Sequence, residues 1–350
     1  MANYPCGFLI RVKILILSFL LGLGACTSVR QAAPPENILL SQQIKNLLHQ
    51  TLPSVVGVSA VFNYRATDFH HHYSNGRLSP DRNSPTGFRL LPPPAGMTTN
   101  SELDFQKING GGVIIYSEEE RAVVITCAHI FTKPDTIDQY ERTEAGKGFP
   151  FLVARKIKAS QSFYASSQAN QYFAAEILYA DVKADLALLL VQTTKTLGPS
   201  FPFPIAASGQ IEWGDFVYVI GYPREVKQLT TGVVSEVTFL GTFIVDAVAR
   251  FGFSGGPVLV VRPGAGLELA GIIRSVPANK IRIVAPPKHL PTGQILNEQD
   301  LRELAAQEID LIDYGTTYAS SVDPIKKFLR EARAELKQKG IVLEAKYGQD

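Results

Sequence analysis

Three residues able to act as nucleophile, base and orienting acid stand in separate segments of this 350-residue chain. Ser254 lies in Gly252-Phe253-Ser254-Gly255-Gly256-Pro257, His129 in Thr126-Cys127-Ala128-His129 and Asp185 in Ala184-Asp185-Leu186-Ala187-Leu188. A serine hydroxyl is a poor nucleophile near neutral pH until an imidazole takes its proton, and a carboxylate fixes the imidazole tautomer. The order His, Asp, Ser is one of three chain orders in which that chemistry occurs. These residues therefore predict hydrolysis of a protein or peptide bond through an acyl-enzyme. Gly252 and Ser254 would supply backbone N–H groups to the oxyanion, since glycine accepts the backbone angles that make such donors converge.

Each of the three must be held by a strand or a turn. Val113-Ile114-Ile115-Tyr116 and Val123-Val124-Ile125-Thr126 flank a charged turn and read as a hairpin that delivers His129. Further strands are expected at residues 52–58, 173–178, 186–191, 216–220, 232–239, 258–261 and 269–273. Their β-branched content and short turns favour an antiparallel barrel or sandwich. Two stretches interrupt the pattern and read as surface insertions: 62–108, with His70-His71-His72, and 276–313, with a helix after Asn297 carrying Leu301, Leu304 and Ile309. A short helix is expected from Asn37, and a second over 323–339, where Asp323-Pro324 starts an apolar stripe of Ile325, Phe328, Leu329, Ala332 and Leu336.

Taken together, the three motifs resemble the trypsin-like serine protease family, and most closely its bacterial HtrA-like protease domains. The resemblance runs from about residue 52 to 329, with support from Val219-Ile220-Gly221-Tyr222-Pro223 and Thr231-Gly232-Val233-Val234. It implies an all-β fold of two six-stranded antiparallel β-barrels, the first over about 52–195 and the second over about 205–322, within a domain spanning 37–340. No PDZ-like domain is expected in the remaining residues, and 341–350 reads as a tail. It also implies a specificity pocket with Val248 at its base, favouring a modest uncharged side chain, with Arg250, Phe253 and Arg274 nearby. Phe253 and Arg274 depart from the family pattern at their positions. The expected activity is serine endopeptidase, with a protease-like protein that binds peptides or acts as a scaffold without cleaving as the alternative.

The first residues indicate destination. Arg11 and Lys13 precede an apolar run from Ile14, and Leu23-Gly24-Ala25-Cys26 resembles the lipobox of bacterial lipoproteins. Residues 1–25 are then a signal peptide, Cys26 carries lipid, and 26–36 form a spacer, with Thr27 pointing to the outer membrane facing the periplasm. Loss of residues 1–25 lowers the Lys and Arg count from 34 to 32, equal to the 32 acidic residues. That balance argues against nucleic acid as a partner. Protein or peptide substrates, the membrane through the lipid, and a regulatory protein or second copy remain the expected partners. Cys127 is then the last free cysteine and reads as a buried apolar residue. No cofactor or metal is required, and the three adjacent histidines read as an exposed polar loop.

Overall fold

A computed structural model describes residues 36–92, 103–144, 147–167, 171–193, 196–238, 241–262, 266–285 and 305–347. The leader, Cys26 and most of the spacer lie outside the described residues. The chain divides at Leu47 and Leu48. Helix α1 (Glu36–Thr51) crosses that division, and all that follows concerns the unit from Leu48 onward. Among the described residues no helix is long and apolar enough to cross a membrane.

The first half of this unit contains β1 (Val55–Asp68), the short pair β2 (Tyr73–Ser74) and β3 (Arg77–Leu78), β4 (Leu103–Ser117), β5 (Arg121–Thr126), β6 (Thr136–Glu144), β7 (Lys147–Ser166), β8 (Tyr172–Asp181) and β9 (Leu186–Gln192). Strands β1, β4, β5, β9, β8 and β7 pair in that order, and β1 pairs back to β7 to close a six-stranded barrel, with β6 added on the free side of β7. Six consecutive residues of β9, from Leu186, are buried. The barrel therefore shields this strand on both faces, and its uninterrupted apolar run follows from that. The hairpin expected between β4 and β5 forms, with Val113 opposite Ile125.

The second half contains β10 (Phe216–Gly221), β11 (Gln228–Val237), β12 (Thr242–Val245), β13 (Pro257–Arg262), β14 (Gly266–Ser275), β15 (Ala278–Ala285), β16 (Ala305–Ile312) and β17 (Thr317–Ser320). Strands β10, β11, β12, β17, β14 and β13 form a second closed barrel. The all-β, two-barrel architecture read from the sequence is thus present. Helix α2 (Val322–Glu331) buries Val322, Ile325, Phe328 and Leu329 and brings the Phe328 ring 5.3 Å from that of Tyr179 on β8. It ties the end of the second barrel to the first.

Four local readings change. Residues 62–68 and 103–108 belong to β1 and β4, which run past the barrel and pair as far as Arg65 with Leu103. Within the remaining insertion His71 is buried, its ring edge-on to Phe151 at 5.0 Å and Phe88 at 6.2 Å, so the histidine run is not simply an exposed loop. Ile309, assigned to a helix, lies on β16 opposite Ile281 of β15, and Leu301 and Leu304 lie outside the described residues. The C-terminal helix is two pieces, α2 and α3 (Arg333–Gln338). Beyond it Ile341, Leu343 and Tyr347 are buried, with the Tyr347 hydroxyl donating to the Phe201 carbonyl at 2.7 Å.

Candidate functional site

The barrels meet around the three motifs. After β5, Cys127 is extended and leads into a single 3-10 turn, Ala128–Ile130, that carries His129. Thr126 Oγ1 donates to the Gly111 carbonyl at 2.7 Å, and Cys127 Sγ donates to the Ile273 carbonyl of the other barrel at 3.0 Å. The turn is thereby fixed to both halves of the molecule.

Asp185 precedes β9 with φ 56°, in the left-handed region that aspartate tolerates better than most residues. Its carboxylate accepts the His129 backbone N–H at 2.9 Å and lies 2.9 and 3.1 Å from His129 Nδ1 through its two oxygens. The Asp185 side chain is 10% exposed and that of His129 41%, so the acid is sheltered and the ring faces the cleft. Arg274 Nε stands 3.6 Å from Asp185 Oδ2, and its Nη2 donates to the Lys183 carbonyl at 3.3 Å. The sequence reading placed Arg274 against substrate. The structure gives its charge to Asp185 while leaving part of the residue on the cavity wall.

Ser254 sits in a turn braced at several points. Gly255 N–H donates to Ile273, Gly256 N–H to Phe253, and Gly111 N–H on β4 to the Ser254 carbonyl, at 2.8, 2.9 and 2.8 Å. Gly252 has φ 102°, and a Cβ there would lie 2.5 Å from Pro223 Cα, so the position accepts glycine alone. Among the described residues neither the Gly252 nor the Ser254 backbone N–H has an acceptor. The Ser254 hydroxyl donates to the Arg274 carbonyl at 3.5 Å, and no hydrogen bond joins it to His129 among the described residues.

What gathers with His129 and Asp185 is Cys127: one ligand atom from each of the three lies within 4.8 Å of the others. The expected Ser254–His129–Asp185 relay is corrected on this geometry. With it fall the serine endopeptidase assignment and the acyl-enzyme mechanism, because Ser254 has its hydroxyl on a carbonyl and lacks a bonded base to take its proton. The cysteine is not a substitute nucleophile. Burial first, and the Asp185 charge second, push its thiol well above the ordinary range, and its sulfur is committed to Ile273. The Arg274 guanidinium stands 3.6 Å from the carboxylate that His129 shares.

The remaining pocket residues depart from expectation. Phe253 is 2% exposed and packs where a Gly221 Cβ would fall, 2.5 Å from its ring, so it is core rather than pocket wall. Val248 is 60% exposed and does not line the cavity. Arg250 is exposed as well, its Nη2 donating to Gln228 Oε1 at 2.6 Å. The cavity at the barrel junction, about 570 Å³, is instead lined by His129, Asp185, Ser254 and Gly252 together with Phe251, Val276 and Arg224. Arg224 carried no sequence signal, since nothing in Tyr222-Pro223-Arg224-Glu225 marks its backbone angle.

Residues 110–264 match the family described as trypsin-like peptidase domain. Over those residues the chain is similar to that family. That match begins on β4 and ends after β13, covering all three motifs and most of both barrels. No curated protein matches the chain.

Proposed function

We propose that this trypsin-like domain binds an extended polypeptide in the cleft between its barrels and does so without a serine acyl-enzyme. The observation that carries the reading is the cavity at the barrel junction, with the unpartnered Gly252 and Ser254 N–H groups on its wall. Val276 lies at its edge, just past the last ladder pair Ser275 with Tyr318, and its backbone polar groups have no partner among the described residues. An extended chain can satisfy such groups by adding its own N–H and C=O, as in recognition by strand addition. A peptide-binding role agrees with the trypsin-like match and needs no nucleophile.

The lipobox-like segment ending in Cys26 supports placing this domain on a lipid anchor at the bacterial outer membrane, facing the periplasm, and the motif arrangement supports the finer likeness to HtrA-like domains. Acyl chains found on Cys26 by mass spectrometry would agree with the anchor, and an unmodified cysteine would not.

The test of binding is titration with a pool of fluorescein-labelled unstructured decapeptides, followed by hydrogen exchange on the complex. The reading expects saturable binding with protection at residues 251–254 and 274–276. Absence of binding up to about 1 mM, a free energy near 4 kcal/mol, or protection confined to other surfaces, would refute it.

A further inference from the structure

The turn Pro223–Glu225 holds two consecutive non-glycine residues in the left-handed region, Arg224 at φ 54° and Glu225 at φ 64°. Such a pair is unfavourable by itself and persists where the surroundings fix it, which makes it a pointer to function rather than an accident of a loop. Here the fixing groups come from the other barrel. Lys107 of β4 forms an ion pair with Glu225, and the Tyr172 hydroxyl of β8 donates to Glu225 Oε2 at 2.5 Å. Lys107 Nζ also stands 5.6 Å from the centre of the Tyr172 ring. Those hydrogen bonds, Lys107 first and Tyr172 second, hold the Glu225 carboxyl below its ordinary range, so it stays charged and clamped.

The consequence lies in the charge left over. Lys107 is matched by Glu225, while Asp185 is matched by Arg274 and bonded to His129. Arg224 is exposed, lines the same cavity as Gly252 and Ser254, and has no acidic partner among the described residues. The cleft therefore combines an uncommitted guanidinium with two uncommitted backbone N–H donors, a set complementary to a carboxylate.

We propose that Arg224 is a specificity-determining residue that selects polypeptides presenting a carboxylate to this cleft. The inference rests on the peptide-binding reading and adds the ligand's chemistry to it. The carboxylate can be the terminus of a chain or an acidic side chain, and both would meet the same donors. Clamping of Glu225 by Lys107 and Tyr172 keeps the neighbouring acid from neutralising Arg224 and holds the turn in the conformation that presents it.

Four fluorescein-labelled decapeptides of one sequence test this: central Asp or Asn, each ending in a free carboxylate or an amide. The protein is expected to bind at least one carboxylate-bearing form roughly tenfold more tightly than the Asn amide, the scale of one hydrogen bond to a charged group. Whether the terminal or the central acid carries the gain identifies the source. Arg224→Asn, which tolerates the left-handed backbone, should bring the ratio to about one, and Arg224→Lys should keep part of it. An unchanged melting temperature in Arg224→Asn separates lost selectivity from lost structure. Equal affinity for all four peptides, or a ratio that survives Arg224→Asn in a folded protein, overturns the role of Arg224 while leaving peptide binding intact. No binding of any of the four by folded protein overturns both.

Discussion

Removing the carboxylate of Asp185 is the perturbation for which the geometry gives the firmest magnitude. The group accepts from the His129 N–H and from Nδ1, both at 2.9 Å, and is nearly out of solvent. Hydrogen bonds to a charged group are worth about 1.5–3 kcal/mol each, though not additively when they share an acceptor. The Arg274 contact at 3.6 Å involves a side chain 35% exposed, so screening leaves it about 0.5 kcal/mol. Asp185→Ala also places alanine at φ 56°, where a residue without a short polar side chain costs about 1–2 kcal/mol. The sum for Asp185→Ala is about 4 kcal/mol. Asp185→Asn keeps one acceptor and tolerates the same backbone, and should cost about 2 kcal/mol. Urea unfolding at pH 7, compared at equal slope, measures both. A cost under about 1 kcal/mol for Asp185→Ala, or equal costs for the two variants, would mean that the carboxylate does not hold His129 as described.

Three further outcomes follow from buried groups. Burial holds the His71 imidazole below its ordinary pKa, with Glu141 and His70 as the charged neighbours, so the folded protein keeps it neutral while the unfolded chain takes up a proton. Its contribution is whole above the unfolded value of about 6.5 and declines as pH falls below it. Proteolysis of the 69–91 segment should accelerate between pH 7.5 and 5 and lose that dependence in His71→Phe; equal pH dependence in both proteins would count against it. Burial also lowers Lys227 to about 8, beneath the aromatic ring of Tyr222, with its ammonium on the Leu52 carbonyl. From about pH 8 to the unfolded value the unfolded chain holds the extra proton, so stability rises across that window. Lys227→Met should remove the rise from a series of urea titrations, and an identical series in the two proteins would rule this out. The Cys127 thiol should resist a disulfide reagent in native protein and react on denaturation, whereas rapid native labelling would mean the sulfur is neither buried nor bonded as described.

Much of the architecture was legible because barrel strands leave strong local marks. Val123 to Thr126 and Leu186 to Val191 are largely apolar runs bounded by turns, and the hairpin of the first with Val113 to Tyr116 is the one the pattern suggests. The approach of His129 to Asp185 was legible too, since each residue stands at the end of a strand that must enter the same barrel. Ile309 was misassigned because Leu301, Leu304 and Ile309 mimic helical spacing, while the strand period of Ile309 with Leu311 shows its meaning only once β15 supplies a partner. Arg274 and Phe253 were placed in the pocket by the resemblance to the trypsin-like family, position by position around Ser254. Along the chain nothing records that Arg274 turns to Asp185 or that Phe253 packs on Gly221. Where Ser254 aims its hydroxyl is a torsional choice, and residue order does not encode it. Arg224 and Glu225 were invisible for a related reason: their left-handed backbone is imposed by Lys107 and Tyr172, which lie more than fifty residues away in sequence.

The central claim is that this cleft holds a polypeptide while Ser254 does not act as a nucleophile. Intact mass of purified protein after exposure to a serine-directed fluorophosphonate, alongside Ser254→Ala, tests it most directly. The parent protein is expected to gain no mass under conditions where the decapeptides bind, and so to behave as Ser254→Ala does. An adduct that forms in the parent and is lost in Ser254→Ala would contradict it and return the hydroxyl to the reacting position.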